Sequence, residues 1–197
     1  MSLPIKPKRV IIVGGMFAGK TSELLNLYTG YKKRGTEVLM LNPGLNTRDV
    51  SGEIKSHTGL SESVELFDSE ESFSEIIERK KPQIVFIDEV QFVDNIEVLC
   101  DKLFKLGISV YMSGLTLDWR GEPFPNTQKI LPSCEIRQKF AICRDCGSEQ
   151  ATHSALVNKE RIPTNTNDYT KPIIGGAESF KPLCLGCFLE QRPTKQE

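Results

Sequence analysis

Apolar residues in this chain fall into two textures, and the switch between them lies near Phe140. Before it, short β-branched runs alternate with stretches of helical spacing. Arg9-Val-Ile-Ile-Val-Gly14 has strand length and no polar alternation, which predicts a strand buried on both faces. From Thr21 to Lys33, residues Leu24, Leu25, Leu27, Tyr28 and Tyr31 recur at helical spacing, and Gly35 supplies a stop. Glu37-Val-Leu-Met-Leu41 predicts a second strand, with Asn42-Pro43-Gly44 turning out of it. Residues 42–63 are poor in apolar side chains and predict a long loop with a short element around Glu53 and Ile54. Ser69 to Lys81 carries Phe73, Ile76 and Ile77 on one face of a charged helix that Pro82 ends. Ile84-Val-Phe-Ile87 is a third buried strand and runs straight into Asp88-Glu89. Val93 to Leu106 reads as a helix closed by Gly107, and Ile108 to Met112 as a fourth strand. Strand and helix alternating in this way predict an α/β fold with a mainly parallel sheet. Beyond Phe140, cysteine pairs and turn residues take over until Phe188, and a polar tail follows.

Composition narrows the class. With 197 residues, 39% of them hydrophobic, the chain can bury a core without staples as one domain or as a main domain with a small appendage. Basic and acidic residues number 25 and 26, so the chain lacks the basic excess of a protein that coats nucleic acid. No apolar run approaches the roughly 18–20 residues that span a bilayer, and the start has no signal-peptide apolar stretch. A cytoplasmic protein is therefore expected.

Gly14-Gly15-Met16-Phe17-Ala18-Gly19-Lys20-Thr21 fits G-x4-G-K-[ST], between a buried strand and a helix. Glycines let backbone N–H groups curl round phosphate oxygens, and the helix N-terminus adds partial positive charge. Lys20 would reach the β- and γ-phosphates of ATP, and the Thr21 hydroxyl would sit on Mg²⁺. Asp88, ending an apolar strand, would hold the same Mg²⁺, and Glu89 would activate a nucleophile as general base. Cys143, Cys146, Cys184 and Cys187 form two C-x2-C pairs separated by residues 147–183. Without a secretory signal this pattern reads as four thiolates on one structural Zn²⁺, a closed set with no open coordination position. Cys100 lies in a helical apolar pattern and reads as core, and Cys134 carries no assigned role. His57 reads as a solvated loop residue and His153 as packing beside the first cysteine pair.

Five segments together resemble the type II, zinc-containing cytosolic thymidine kinases. They are Gly15-Met-Phe-Ala-Gly-Lys-Thr-Ser-Glu-Leu24, Asp88-Glu-Val-Gln-Phe92, Gly114-Leu115, Arg120-Gly-Glu-Pro-Phe124 and Ile174-Gly-Gly-Ala-Glu-Ser-Phe180. The match runs from about residue 9 to 188. The resemblance implies a RecA-like P-loop core over 1–138, a small zinc-ribbon-like and lasso domain over 139–190, and the tail 191–197. It implies ATP-dependent phosphorylation of the thymidine 5′-hydroxyl, with deoxyuridine as a second substrate. It also implies a homotetramer, inhibition by dTTP, and no stable nucleic-acid or membrane partner. Carried over residue by residue, Lys171, Pro172, Ile173, Ile174 and Gly175 form the lasso whose backbone holds the base. Phe180, Trp119 and Phe124 are the aromatic walls, and Met16, Leu115 and Ser154 line the same cavity. Asn46, Thr47 and Arg48 lie near the phosphates and metal, and Gln91 joins the nucleotide set. Several positions depart from the family pattern: Thr116 and Asn46 stand for acids, Trp119 for Phe, Phe180 for Tyr and Ser154 for Thr. None of them touches Lys20, Thr21, Asp88 or Glu89. The alternative from another class is a RecA-like ATPase whose zinc ribbon grips nucleic acid, against which stand the balanced charge and the short chain.

Overall fold

The computed structural model describes residues 6–44, 53–55, 61–157 and 178–191. Its centre is a six-stranded sheet in the order β5-β2-β6-β7-β1-β8, with every neighbouring pair parallel. The strands are β1 (Arg9–Val13), β2 (Val38–Pro43), β5 (Glu65–Phe67), β6 (Ile84–Ile87), β7 (Ser109–Gly114) and β8 (Glu135–Gln138). Two short strands, β3 (Glu53–Lys55) and β4 (Ser61–Ser63), pair antiparallel beside it.

Alternation along each strand sorts the apolar residues into two layers. Val10 and Ile12 of β1, Met40 of β2, Phe86 of β6 and Tyr111 of β7 pack with Leu24, Leu25 and Tyr28 of α1 (Lys20–Lys33). Ile11 and Val13, Val85 and Ile87, and Met112 face the other way. They meet Phe73, Ile76 and Ile77 of α2 (Glu70–Lys80) and Ile96, Leu99 and Leu103 of α3 (Ile96–Lys105). The expected α/β fold with a parallel sheet is therefore present, and Cys100 lies fully buried in the second layer.

Element ends follow local chemistry. Ser69 caps α2 by accepting the Ser72 N–H at 3.1 Å, and Lys81, at φ 46°, ends it just before Pro82. Two boundaries differ from the sequence expectation. β2 runs on through Asn42 and Pro43 instead of turning there, because β5 pairs with it and the Gly44 N–H reaches the Phe67 carbonyl at 2.8 Å. α3 begins at Ile96 instead of Val93: a 3-10 turn over Val90–Phe92 comes first, and Asn95, at φ 52°, interrupts the helical path.

After α4 (Pro125–Ile130) and β8 the chain enters the cysteine-bearing segment. There β9 (His153–Leu156) and β10 (Phe180–Leu183) pair antiparallel, and α5 (Leu185–Gln191) follows. Its small apolar cluster joins Ala141, Ala151, Ala155, Leu183 and Phe188 to Ala18 of the glycine-rich loop. His153 stacks on Phe188 with ring centroids 4.4 Å apart, the packing role expected for it.

Candidate functional site

The glycine-rich loop leaves β1 at the C-terminal end of the parallel sheet, where open α/β sheets bind ligands. Two of its glycines are needed for close approach. A Cβ on Gly14 would lie 2.3 Å from the Lys139 carbonyl oxygen, and one on Gly15 would lie 2.9 Å from that of Thr152. Gly19, at φ 78°, supplies the left-handed turn into α1, and Phe17 holds φ 64° without being glycine. Such backbone strain at a non-glycine residue collects at functional sites.

Lys20, the first residue of α1, is buried and donates to the Gly15 carbonyl at 2.7 Å. Burial pulls its pKa below the ordinary lysine value, against the opposing pull of the Glu89 and Asp88 carboxylates. A cation so placed neutralises anions without water screening. Thr21 donates its hydroxyl to Asp88 Oδ2 at 2.8 Å. Asp88 is buried at the end of β6, where its Oδ1 accepts the Ser113 hydroxyl and the Glu89 N–H, the latter at 3.0 Å. A hydroxyl and a buried carboxylate on one spot, beside an ammonium, are donors of the kind that can hold Mg²⁺.

Glu89 sits at φ 54°, a left-handed conformation that turns the chain sharply between β6 and the 3-10 turn that follows. The Gln91 side-chain amide donates to Glu89 Oε2, while Gln91 Oε1 accepts the Leu115 N–H at 3.0 Å. Gly114 is needed here, since a Cβ on it would lie 2.9 Å from Gln91 Oε1. Thr127 of α4 then fixes Leu115 from the other side, donating to its carbonyl at 2.8 Å.

From Leu115 the chain forms a tight excursion organised by Asp118. Its Oδ1 accepts the N–H groups of Arg120 and Glu122 at 2.8 and 3.0 Å, and its Oδ2 accepts Arg120 Nε at 2.7 Å. Arg120 also lies 5.9 Å from the Trp119 ring centroid, and Phe124 meets Phe92 edge-on at 6.2 Å. Gly121, at φ 79°, backs onto Phe188, which a Cβ would approach to 2.9 Å.

The four cysteines Cys143, Cys146, Cys184 and Cys187 bring their sulfur atoms within 4.8 Å of one another, with Cys146 and Cys184 at 3.6 Å. Four sulfurs about 2.3 Å from a tetrahedral zinc would be spaced about 3.8 Å apart, so the cluster fits that ion. Burial pushes the Cys143 thiol up. Backbone N–H groups of Cys184, Cys146 and Asp145 nevertheless converge on it and bring it down to about 6, whereas hydrogen bonds to Cys146 and Cys184 push the Cys187 thiol up.

A family model described as thymidine kinase matches residues 8–188. The chain belongs to the thymidine kinase family. It is 36% identical over 177 residues to the thymidine kinase of Mycoplasmoides gallisepticum, covering 88% of this chain and 77% of that one. The thymidine kinase of Mesoplasma florum is 33% identical over 90% of this chain and 89% of its own length. For that of Pyrobaculum aerophilum the values are 32%, 89% and 95%.

Against this thymidine kinase frame, the structure brings together Lys20, Thr21, Asp88 and Glu89, and links Glu89 through Gln91 to Leu115. The Gln91 side chain, expected among the nucleotide contacts, is engaged with Glu89 and Leu115. Ser154, expected beside the base, accepts the Met16 N–H at 2.9 Å. Phe180 is buried in β10 opposite Leu156. Asn46, Thr47, Arg48, His57 and Lys171 to Gly175 lie outside the described residues. Sequence reasoning missed Ser113, Asp118 and Thr127. Ser113 alone left a signal, a hydroxyl ending an apolar strand.

Proposed function

We propose that this member of the family is a thymidine kinase, transferring the γ-phosphoryl of ATP to the 5′-hydroxyl of thymidine and, in second place, of deoxyuridine. The observation that carries the reading is the contact of Thr21 with Asp88 beside buried Lys20, with Glu89 held at the edge of the same site. Family membership over residues 8–188 favours this reading over a nucleic-acid motor.

In the proposed reaction, the Gly14–Thr21 loop cradles the triphosphate, and Lys20 leaves the Gly15 carbonyl to meet the β- and γ-phosphates. Thr21 and Asp88 would hold Mg²⁺, which when bound neutralises charge on the phosphate oxygens. Glu89 accepts the proton of the 5′-hydroxyl. That oxygen bonds to the γ-phosphorus as the bond to the bridging β,γ-oxygen breaks, and ADP leaves. Gln91 keeps the Glu89 carboxylate aimed while tying it to Leu115, which fixes the base relative to the nucleoside pocket. Met16, Leu115, Trp119, Phe124 and Phe180 enclose the base and exclude water that would otherwise take the phosphoryl group.

Residues 1–138 serve as the nucleotide-binding core and 139–190 as the zinc and lasso domain, with Lys171 to Gly175 closing on the base. Cys143, Cys146, Cys184 and Cys187 hold a structural Zn²⁺. Asn46, Thr47 and Arg48 approach the phosphates. The enzyme works in the cytoplasm as a homotetramer, and dTTP inhibits it. Among the described residues no helix is long and apolar enough to cross a membrane.

The test follows ADP and product together, with Mg-ATP and thymidine, deoxyuridine, deoxycytidine, deoxyguanosine and deoxyadenosine. Thymidine monophosphate forming in step with ADP is the expected result. Product from a different nucleoside alone would overturn the specificity. No product from any, with ATP hydrolysis rising on addition of DNA or RNA, would overturn the function.

A further inference from the structure

β7 lies between β1, which leads into the phosphate loop, and β6, which ends on Asp88. Its register sets Phe86, Tyr111 and Val10 level across the three strands, in the apolar layer under α1. Side chains alternate along a strand, so the next row on that face is Asp88, Ser113 and Ile12. Ser113 is fully buried there, where a parallel sheet takes an apolar residue. A hydroxyl moved out of water costs free energy unless it is hydrogen-bonded. This one donates to Asp88 Oδ1. An ionised carboxylate only accepts, so the direction of that bond is fixed.

We propose that Ser113 is a positioning residue for the Asp88 carboxylate, and through it for Mg²⁺ at the nucleotide. The proposal rests on the nucleotide-site reading above. Three donors hold the carboxylate. Thr21 donates to Oδ2 at 2.8 Å, while the Glu89 N–H and the Ser113 hydroxyl share Oδ1, the former at 3.0 Å. Thr21 lies on α1 and is itself assigned to Mg²⁺. The Glu89 N–H belongs to the same stretch of chain as Asp88. Ser113 is the side chain that fixes the carboxylate from a neighbouring strand, outside the donors assigned to the metal. A carboxylate can turn about the bond that carries it. A donor on Oδ1, set on a rigid strand, stops that turn and leaves Oδ2 facing Thr21. Groups that orient a metal ligand in this way set the affinity of the metal, and losing one typically weakens it by about 10- to 100-fold.

Two readouts separate this role from packing. Ser113→Ala removes one oxygen and leaves the apolar layer closed, so the chain should fold and keep its zinc. Titration calorimetry on the zinc-loaded full chain gives the affinity for ADP without added Mg²⁺, and again as Mg²⁺ is raised. Ser113→Ala should leave the first within about 2-fold, since Lys20 and the loop amides are untouched. It should raise the Mg²⁺ concentration of half-maximal effect by about 10- to 100-fold. Turnover of thymidine should fall at limiting Mg²⁺, and kcat should return to within about 3-fold of wild type when Mg²⁺ is in excess. Ser113→Thr keeps a hydroxyl on the same carbon, in a strand that accepts β-branched residues, and should restore the wild-type Mg²⁺ requirement.

An unchanged Mg²⁺ requirement in Ser113→Ala, whatever its melting temperature, would overturn the proposal and leave a purely structural hydroxyl. Equal weakening of ADP with and without Mg²⁺ would overturn it too, because the effect would then pass through the phosphate loop and not through the metal. Wild-type chain that binds no ADP, or binds it indifferently to Mg²⁺, would instead overturn the nucleotide-site reading on which the proposal rests.

Discussion

The parallel sheet buries Phe73, Phe86, Ile87, Leu103 and Met112 in its two layers, whereas the cluster around the cysteines buries four alanines, Leu183 and Phe188. The difference is one of apolar area. At about 25 cal/mol per Å² of apolar surface, a layered sheet with helices on both faces supplies its own cohesion. Alanines with single large residues supply far less, so a unit built from them needs a cross-link. Here the four sulfurs, within 4.8 Å of one another, can supply one by holding a metal ion. Yet the weakly cored region lies directly on the phosphate loop, through Gly14, Gly15 and Met16. The region with the thinner apolar core is thus the one that packs against the phosphate loop.

The largest effect should come from removing the cross-link. Structural zinc in small domains contributes about 10–16 kcal/mol of apparent binding free energy, which is also folding free energy. Cys184→Ala should abolish zinc retention and the hydrogen-exchange protection of β9 and β10. Protection of β1, β6 and β7 should survive. Simultaneous loss from both regions would mean that the two fold as one unit and the comparison fails.

The reverse perturbation belongs in the sheet. The Phe86 ring stacks on Tyr111 at 5.2 Å and meets Tyr28 edge-on at 5.4 Å, with no exposed surface. Phe86→Ala should cost about 3–5 kcal/mol and lower the melting temperature by roughly 10 °C. The chain folded at low temperature should still carry zinc. A variant that lost zinc before it lost the sheet would show that the core supports the cysteine unit more than the reverse.

Beside the phosphate loop, at the end of β6, Glu89→Gln should lower kcat by about 10²- to 10⁴-fold, since general-base assistance is worth that much. The melting temperature and the affinity for Mg-ADP should barely move, because the substitution keeps the size and shape of the side chain that Gln91 meets. Ordinary nucleoside turnover in Glu89→Gln would remove Glu89 as the base.

How much of this was legible follows the same division. Buried strands announce themselves by runs such as Ile84-Val-Phe-Ile87, since a parallel sheet wants apolar residues on both faces. The phosphate loop and the cysteine pairs were legible because their chemistry fixes residue types at fixed spacings. β8 was not: Glu135-Ile-Arg-Gln138 is mostly exposed at the sheet's edge, so burial left no apolar pattern to read. α4 is six residues beginning on Pro125, too short to establish a helical period. The Gln91 link to Leu115 and the Ser154 link to Met16 join positions far apart in sequence, which no local window contains. Nor does a hydroxyl signal its partner: Ser154 reads alike whether it faces a base or a backbone amide.

The smallest effect lies at the sheet's other edge, where charge instead of metal or apolar area joins two elements. Glu65 of β5 meets Lys80 at 2.7 Å and Arg79 at 2.9 Å, both on α2. Hydrogen bonding from Lys80 leads in holding its carboxyl below the ordinary glutamate value, against a smaller opposing pull from burial. A carboxylate whose pKa is lowered by folding stabilises the fold above its unfolded pKa of about 4.3. That contribution is lost as pH falls through the lower, folded value. All three side chains are at least one-third exposed, so water and salt screen the pair, and Glu65→Gln should cost no more than about 0.5–1 kcal/mol at pH 7. The gap in melting temperature between wild type and Glu65→Gln should close in 0.5 M salt, and again as pH falls below about 4. A gap that survived both would mean that the side chain acts by packing. β5 already has an apolar anchor in Phe67, buried edge-on against Phe73 of α2 with centroids 5.3 Å apart. Burial of that pair outweighs a screened ion pair, so the edge strand should stay docked when its charges are gone.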